Sequence, residues 1–367
     1  MAEGDTGTES GTGSGSRRQP RRPSLDPASA AIRTALRQQM ASIAAAPSSE
    51  TSRVIVAVSG GADSMALLHA CAFLHRRGEV DARAVTVDHG LQEASPQVAA
   101  RVVSIAESWG VPAKVAAITV SAGDEGIEAA ARDARYAALE SARIVHGADW
   151  ILTAHTQSDQ AETVLLWLMR GSGTRSLAGM SPVTGRVVRP LLGLERAMTA
   201  ASCRAQGVEV WHDPMNADGA FARVRARRLL ATLETDLGQP ITANLARTAD
   251  LCRADADFLE RSAEAVAVEV RGRTDIALES LLDLDDAILS RVVREWLVSV
   301  GVPAQNVGAA RVAELCALIR AQAGSAGGAS DRGDSGRGAR ERLSLPGDTE
   351  AVVGRGRLLF QLAAKAR

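Results

Sequence analysis

Along this chain, short apolar runs rich in β-branched residues alternate with longer segments whose apolar positions recur every three to four residues. Val54 to Val58 is fully apolar, as a strand buried on both faces requires, and Ser64 to Arg77 follows with helical spacing. The alternation continues through Ala82 to Val87 (strand), Gln97 to Trp109 (helix), Ala113 to Val120 (strand), Glu125 to Val145 (helix), Trp150 to Ala154 (strand) and Asp159 to Arg170 (helix). The pattern predicts an α/β fold, a doubly wound parallel sheet with helices on both faces, whose ligands lie beyond the carboxyl ends of the strands. After Asp213 the strand signal fades. Helical segments rich in Ala and Leu then run from about Val224 through Arg320, which predicts a smaller helical domain. No internal repeat is visible.

These changes of period divide the chain into a disordered tail at 1–27, a sheet domain at 28–221, a helical domain at 222–323, a flexible loop at 324–342 and a short hairpin at 343–367. The sheet domain opens with a helix from Ala28 to about Ala46, and the hairpin turns around Gly354-Arg355-Gly356. The tail is rich in Gly, Ser and Thr and carries Arg17, Arg18, Arg21 and Arg22. It has too little apolar surface to fold. Its arginines read either as an RNA-binding arm or as a solvated segment with no specific role.

Composition narrows the function mainly by exclusion. A formal net charge of -1 gives no global attraction to nucleic acid, so any RNA contact must come from local basic clusters. Cys71, Cys203, Cys252 and Cys316 stand far apart without a CxxC pair, which argues against a zinc site or a disulfide framework. No run is long and apolar enough for a membrane span, and no secretory signal opens the chain, so a cytoplasmic protein with no membrane partner is expected.

The chemistry concentrates in two places. Ser59-Gly60-Gly61-Ala62-Asp63-Ser64 follows one predicted strand and precedes one predicted helix. Paired glycines let backbone N–H groups turn inward as an anion-binding nest, and the helix N-terminus adds its positive end. Ser59 and Ser64 supply hydroxyls, and Asp63 suits a Mg²⁺ bound to the same phosphates. An ordinary capped strand-to-helix turn is the plainer alternative. The string is not a Walker loop, since no GxxxxGK[ST] occurs. The second cluster, His155, Asp159 and Glu162, begins where the Trp150 strand ends, at the same sheet edge. Asp159 and Glu162 are three apart and share a helix face, so they suit a second cation, or else merely cap the helix.

SGGxDS after a first strand resembles the signature of the PP-loop, or N-type ATP pyrophosphatase, family. Ala154-His155-Thr156-Gln157-Ser158-Asp159-Gln160-Ala161-Glu162-Thr163, Arg170-Gly171-Ser172-Gly173 and Leu177-Ala178-Gly179-Met180 resemble its tRNA(Ile)-lysidine synthetase branch. Val87-Asp88-His89-Gly90-Leu91, Ala131-Arg132-Asp133-Ala134-Arg135-Tyr136 and Arg189-Pro190-Leu191-Leu192 agree. The likeness covers most of Val54 to Arg227. Two departures stand out. Ser158 replaces the first aspartate of a frequent Asp-Asp pair, which leaves Asp159 as the essential acid. Phe221 and Val224 replace a common Tyr and Asn, while Arg223, Arg225 and Arg227 are retained and read as tRNA phosphate contacts or as a solvated helix start.

The resemblance implies a ligase that uses ATP and Mg²⁺ to join free L-lysine to the wobble cytidine of tRNA(Ile) with a CAU anticodon, through an adenylated cytidine. It implies nucleotide binding by Ser59, Gly60, Gly61, Ala62, Asp63 and Ser64, with Asp88 and His89 facing the adenosine or the target base, and metal binding by Asp63. It implies catalytic roles for Asp63, Arg132, His155, Asp159 and Glu162, with Arg132 beside the adenylate and the two later acids receiving the lysine ammonium. A homodimer is carried as a candidate assembly. Competing readings are tRNA thiolation, disfavoured by the separated cysteines, and a nucleotide-binding regulator without turnover.

Overall fold

A computed structural model of the chain describes residues 1, 26–44, 51–90, 92, 94–119, 127–213, 218–326 and 340–363. The predicted tail and the 324–342 loop fall largely outside the described residues. The rest forms two compact units, one of Met1–Thr163 with Met180–Ala246 and one of Val164–Gly179 with Arg247–Arg367.

The elements in chain order are α1 (Pro27–Ile43), β1 (Arg53–Ala57), α2 (Ala62–Arg76), β2 (Asp81–Asp88), α3 (Ser95–Ser108), β3 (Ala113–Ala117), α4 (Ile127–Val145), β4 (Trp150–Leu152), α5 (Gln157–Leu168), α6 (Thr174–Leu177), β5 (Val183–Thr184), β6 (Val187–Val188), α7 (Arg196–Ala205), α8 (Ala222–Leu237) and α9 (Ile241–Val270). Then follow β7 (Asp275–Ala277), α10 (Glu279–Leu282), α11 (Asp286–Ser299), α12 (Ala309–Ala326), β8 (Glu341–Leu345), β9 (Thr349–Gly354) and β10 (Arg357–Leu362).

In the first unit the strands lie in the order β3-β2-β1-β4-β6-β5, parallel except for the β5–β6 pair. Successive residues of a strand face opposite sides of the sheet, and around β1, β2 and β4 both sides hold buried apolar residues. Val54, Val56, Val58, Ala82, Ala84 and Leu152 join one core with α1, α2, α3 and Cys203 of α7. Ile55, Val85 and Ile151 join the other with Leu139 of α4. Burial on both faces is why β1 reads as an unbroken apolar run, and it confirms the doubly wound α/β class. Helix α1 starts where a helix can start cheaply: the Asp26 carboxylate accepts the Ser29 N–H at 2.9 Å, and Pro27 occupies the first turn.

The second unit is helical with a sheet of its own. Strands β7-β10-β9-β8 pair antiparallel and share one core with α10, α11, α12 and the end of α9. Trp296 is buried there, its indole N–H donating to the Arg273 carbonyl at 2.7 Å and its ring meeting Phe360 edge-on. The turn at Arg355-Gly356 has positive φ at both residues (56° and 71°), the geometry that matches a two-residue hairpin to strand twist. This hairpin is therefore part of a four-stranded sheet. The first unit runs on past Phe221 to Ala246, so α8 goes with it, while Val164–Gly179 goes with the second.

Candidate active site

Strand order decides which loops meet. The chain runs outward from β1 through β2 to β3 and then returns to place β4 on the other flank of β1, so the order reverses between β1 and β4. A parallel α/β sheet opens a crevice at such a reversal, beyond the carboxyl ends of the strands. Register fixes the two ends side by side, with Val56 opposite Leu152. The Ser59–Ser64 loop leaves β1 and the Thr153–Glu162 segment leaves β4, so both chemical clusters open into this crevice.

The glycine loop is tightly held. Gly60 has φ +86°, a left-handed conformation that side chains resist, and its carbonyl accepts the Trp211 N–H at 2.9 Å. A Cβ there would come within 3.1 Å of Val98 and 3.3 Å of Val102. Gly61 precedes α2, and no side chain caps that helix. The Ser64 hydroxyl instead folds back, accepting the Ser59 N–H at 3.1 Å and donating to the Gly61 carbonyl at 3.0 Å. An uncapped helix start behind two glycines is suited to an anion. Gly60→Ala should cost about 1–2 kcal/mol from the backbone alone, more with the valine contacts, and should weaken ATP binding at least tenfold. Thermal melts and nucleotide titration read the two effects separately.

Three carboxylates meet around one guanidinium. Arg196, at the start of α7, contacts Asp63 at 3.2 Å, Asp159 at 2.6 Å and Glu162 at 3.6 Å. Each carboxylate has further partners. Asp63 also accepts a short hydrogen bond from the Thr199 hydroxyl, one helical turn beyond Arg196. The other oxygen of Asp159 accepts both the N–H and the hydroxyl of Thr156 at 2.8 Å. Glu162, with its side chain 1% exposed, is gripped by Arg227 at 2.7 and 3.3 Å. The electrostatics separate the two aspartates. Burial pushes the Asp63 carboxyl above its usual range, with the Asp159 charge adding to it, and Thr199 and Arg196 recover only part of the shift. Burial acts on Asp159 too, but Arg196 and the Thr156 donors overcome it and hold that carboxyl below its usual range.

His155 lies close enough to Asp159 for their charges to interact. Its Nδ1 lies 3.0 Å from the Thr153 hydroxyl. Burial lowers its pKa to about 3; Asp159 opposes the shift, while Arg189, Arg135 and Arg223 reinforce it. The imidazole is thus neutral in the fold, whereas the unfolded residue takes up a proton below about 6.5. Its contribution to stability is whole above pH 6.5 and is lost as pH falls toward 3. His155→Gln should therefore lessen the drop in melting temperature between pH 7 and pH 5. The arginines near His155 continue toward α4, where Arg132 and Arg135 lie 5.2 and 5.5 Å from the Tyr136 ring. They give this flank a positive character beside the acidic cluster.

Of the residues singled out in the sequence, Asp63, Asp159 and Glu162 come together, with His155 beside them. Arg132 lies on the Tyr136 flank and makes no ion pair with the three carboxylates. Asp88, at the end of β2, accepts from the Ser95 hydroxyl and, at 3.0 Å, from the Gly90 N–H; both bonds lower its pKa, and it stays outside the cluster. His89 follows it on the same loop, half-buried. Arg227, read as a phosphate contact or part of a solvated helix start, is engaged by Glu162. Arg196 and Thr199 were not anticipated at all. Their segment, Glu195-Arg196-Ala197-Met198-Thr199, looks like any charged helix start, and only the tertiary fold gives it meaning.

Comparison with known proteins identifies the family. Residues 32–234, more than half of the chain, match the PP-loop domain family, whose members bind ATP. The chain is 44% identical over 296 residues to the tRNA(Ile)-lysidine synthase of Thermobifida fusca, covering 80% of this chain and 90% of that one. It is 43% identical over 316 residues to the tRNA(Ile)-lysidine synthase of Streptomyces coelicolor, covering 84% and 85%. Among solved structures, the U34-tRNA thiolase NcsA of Methanococcus maripaludis matches with a TM-score of 0.49 at 14% identity, over 61% of this chain and 79% of that one. At this identity and coverage, the chain belongs to the tRNA(Ile)-lysidine synthase family of PP-loop proteins.

Proposed function

We propose that this protein joins free L-lysine to C2 of the wobble cytidine in tRNA(Ile) bearing a CAU anticodon, converting ATP to AMP and pyrophosphate. The observation that carries this reading is the meeting of the glycine loop's Asp63 with Asp159 and Glu162 at one sheet edge. An anion-binding loop and an acidic, cation-seeking pair side by side suit a reaction between a nucleotide and an amine. The names of the related proteins support tRNA as the partner. Such a reaction belongs in the cytoplasm, and no helix among the described residues is long and apolar enough to cross a membrane.

In the first step the cytidine O2 attacks the α-phosphorus of ATP and pyrophosphate leaves. The protein aligns the two reactants and meets the departing charge with the N-terminus of α2, Gly60, Gly61 and the Ser64 hydroxyl. In the second step the lysine Nε attacks C2, the C2–O bond breaks and AMP departs with the oxygen. The ammonium must lose a proton to solvent water before it attacks. Asp159, held ionised, suits binding of that ammonium better than keeping its proton. Arg132, Arg135, Arg189 and Arg223 form a positive flank fitted to the adenylate phosphate or the anticodon backbone.

Mg²⁺ fits the first step through Asp63. One carboxylate at the loop is the protein contribution expected for an ion that takes its other ligands from phosphates and water. No group of three or more acidic, His or Cys side chains that could hold a metal occurs among the described residues. When bound, the ion would neutralise charge on the leaving pyrophosphate. AMP formation tests the proposal: it should require a tRNA with cytidine at the wobble position and fall to background when uridine replaces it. AMP formed equally with either transcript would rule the assigned nucleophile out.

A further inference from the structure

Arg196 raises a question that the two-step reaction does not answer: how does a substrate ammonium reach acids that already have a cation? Glu162 is 1% exposed, and Arg227 occupies both of its oxygens. One oxygen of Asp159 is filled by the two Thr156 donors, and the other is held by Arg196 at 2.6 Å. In this state the acidic pair is closed. The charge count nevertheless favours another cation, because among the described residues the three carboxylates form ion pairs with two guanidiniums, those of Arg196 and Arg227.

Of the two arginines, Arg196 is placed to leave. Arg227 faces Glu162 through Nε and Nη2, a bidentate grip. Arg196 instead spreads three nitrogens over three different carboxylates, and one of these, Asp63, belongs to the phosphate loop. The planar fork of a guanidinium can pair bidentately with two oxygens of one phosphate, whereas here it is spread over single contacts to three carboxylates. A nucleotide phosphate arriving at that loop would compete for Arg196 directly. Thr199, one turn along the same helix, holds the other oxygen of Asp63 and keeps α7 against the loop while the side chain swings.

Building on the proposed function, we propose that Arg196 is a resident counter-ion that occupies the amine site until nucleotide phosphates draw it away, so that lysine binds after the nucleotide. Arg196 is then a positioning residue that links the two half-reactions. It protects the enzyme from filling with lysine before there is anything for the lysine to attack. Its own departure opens the oxygen of Asp159 that the ammonium takes.

Equilibrium dialysis of labelled L-lysine against the full chain tests this. The ligand present is either none or α,β-methylene-ATP with Mg²⁺, which cannot be cleaved at the α–β bond. The wild type should bind lysine at least tenfold more tightly with the nucleotide analogue. Arg196→Gln should bind lysine with equal affinity, within twofold, in both conditions, and Arg196→Lys should keep part of the coupling, because one ammonium cannot span three carboxylates. Full coupling retained in Arg196→Gln, or no coupling in the wild type, overturns the exchange. If Arg196→Gln does not fold, the wild type and Arg196→Lys decide the matter: tenfold coupling that falls in the lysine variant supports the exchange, and unchanged coupling overturns it. Lysine binding with no nucleotide dependence sinks only the exchange, whereas no lysine binding under any condition sinks the lysine reading with it.

Discussion

Asp159→Asn should reduce ATP-dependent lysine transfer by about 10²–10³, the scale of a lost preorganised charge contact, while pyrophosphate release falls less than about tenfold. The change removes the charge that holds the ammonium but keeps the size and the acceptor oxygen that meets the Thr156 N–H and hydroxyl. The glycine loop and Asp63 are untouched, so adenylation should continue. The two products can be counted in one reaction, as labelled pyrophosphate and as label in RNA. An equal fall in both would show that Asp159 serves the first step as well, and would remove the division of labour between the two acids.

Arg227→Ala should destabilise the sheet unit by about 2–3 kcal/mol. Breaking a buried ion pair costs about 3–5 kcal/mol because the remaining charge is left without its partner. Here Glu162 is 1% exposed, but Arg227 itself is 38% exposed and Arg196 remains at 3.6 Å, so the lower figure applies. A urea midpoint shift in the variant, relieved in Glu162→Gln/Arg227→Met, would identify the stranded charge as the cause. A shift of a few tenths of a kcal/mol would mean that Arg196 alone can neutralise Glu162.

The fold was legible wherever burial imposed a long pattern. Strands β1 and β2 are dry on both faces, and α2 buries Met65, Leu67, Leu68 and Leu74, so their sequences repeat at the periods expected for strand and helix. Strands β5 and β6, with two residues each, are too short to carry a period, and β7, with three, exists because β10 pairs with it. The acids of the site were visible because Asp63 lies in a distinctive loop and Asp159 and Glu162 share a helix face. Their cationic partners were not. Arg196 reaches Asp63 across 133 positions and Asp159 across 37, and Arg227 reaches Glu162 across 65. Nothing local distinguishes an arginine bound for such a contact from one that faces water, which is why Arg227 read as a phosphate contact or part of a solvated helix start.

The most direct test incubates the protein with ATP, Mg²⁺, labelled L-lysine and unmodified tRNA(Ile) bearing a CAU anticodon, and then counts label in the RNA. Label that requires ATP and the wobble cytidine, and that disappears in Asp63→Asn, is the predicted result. Pyrophosphate release with no label in the RNA would contradict it and would assign this ATP-activating site to a different nucleophile.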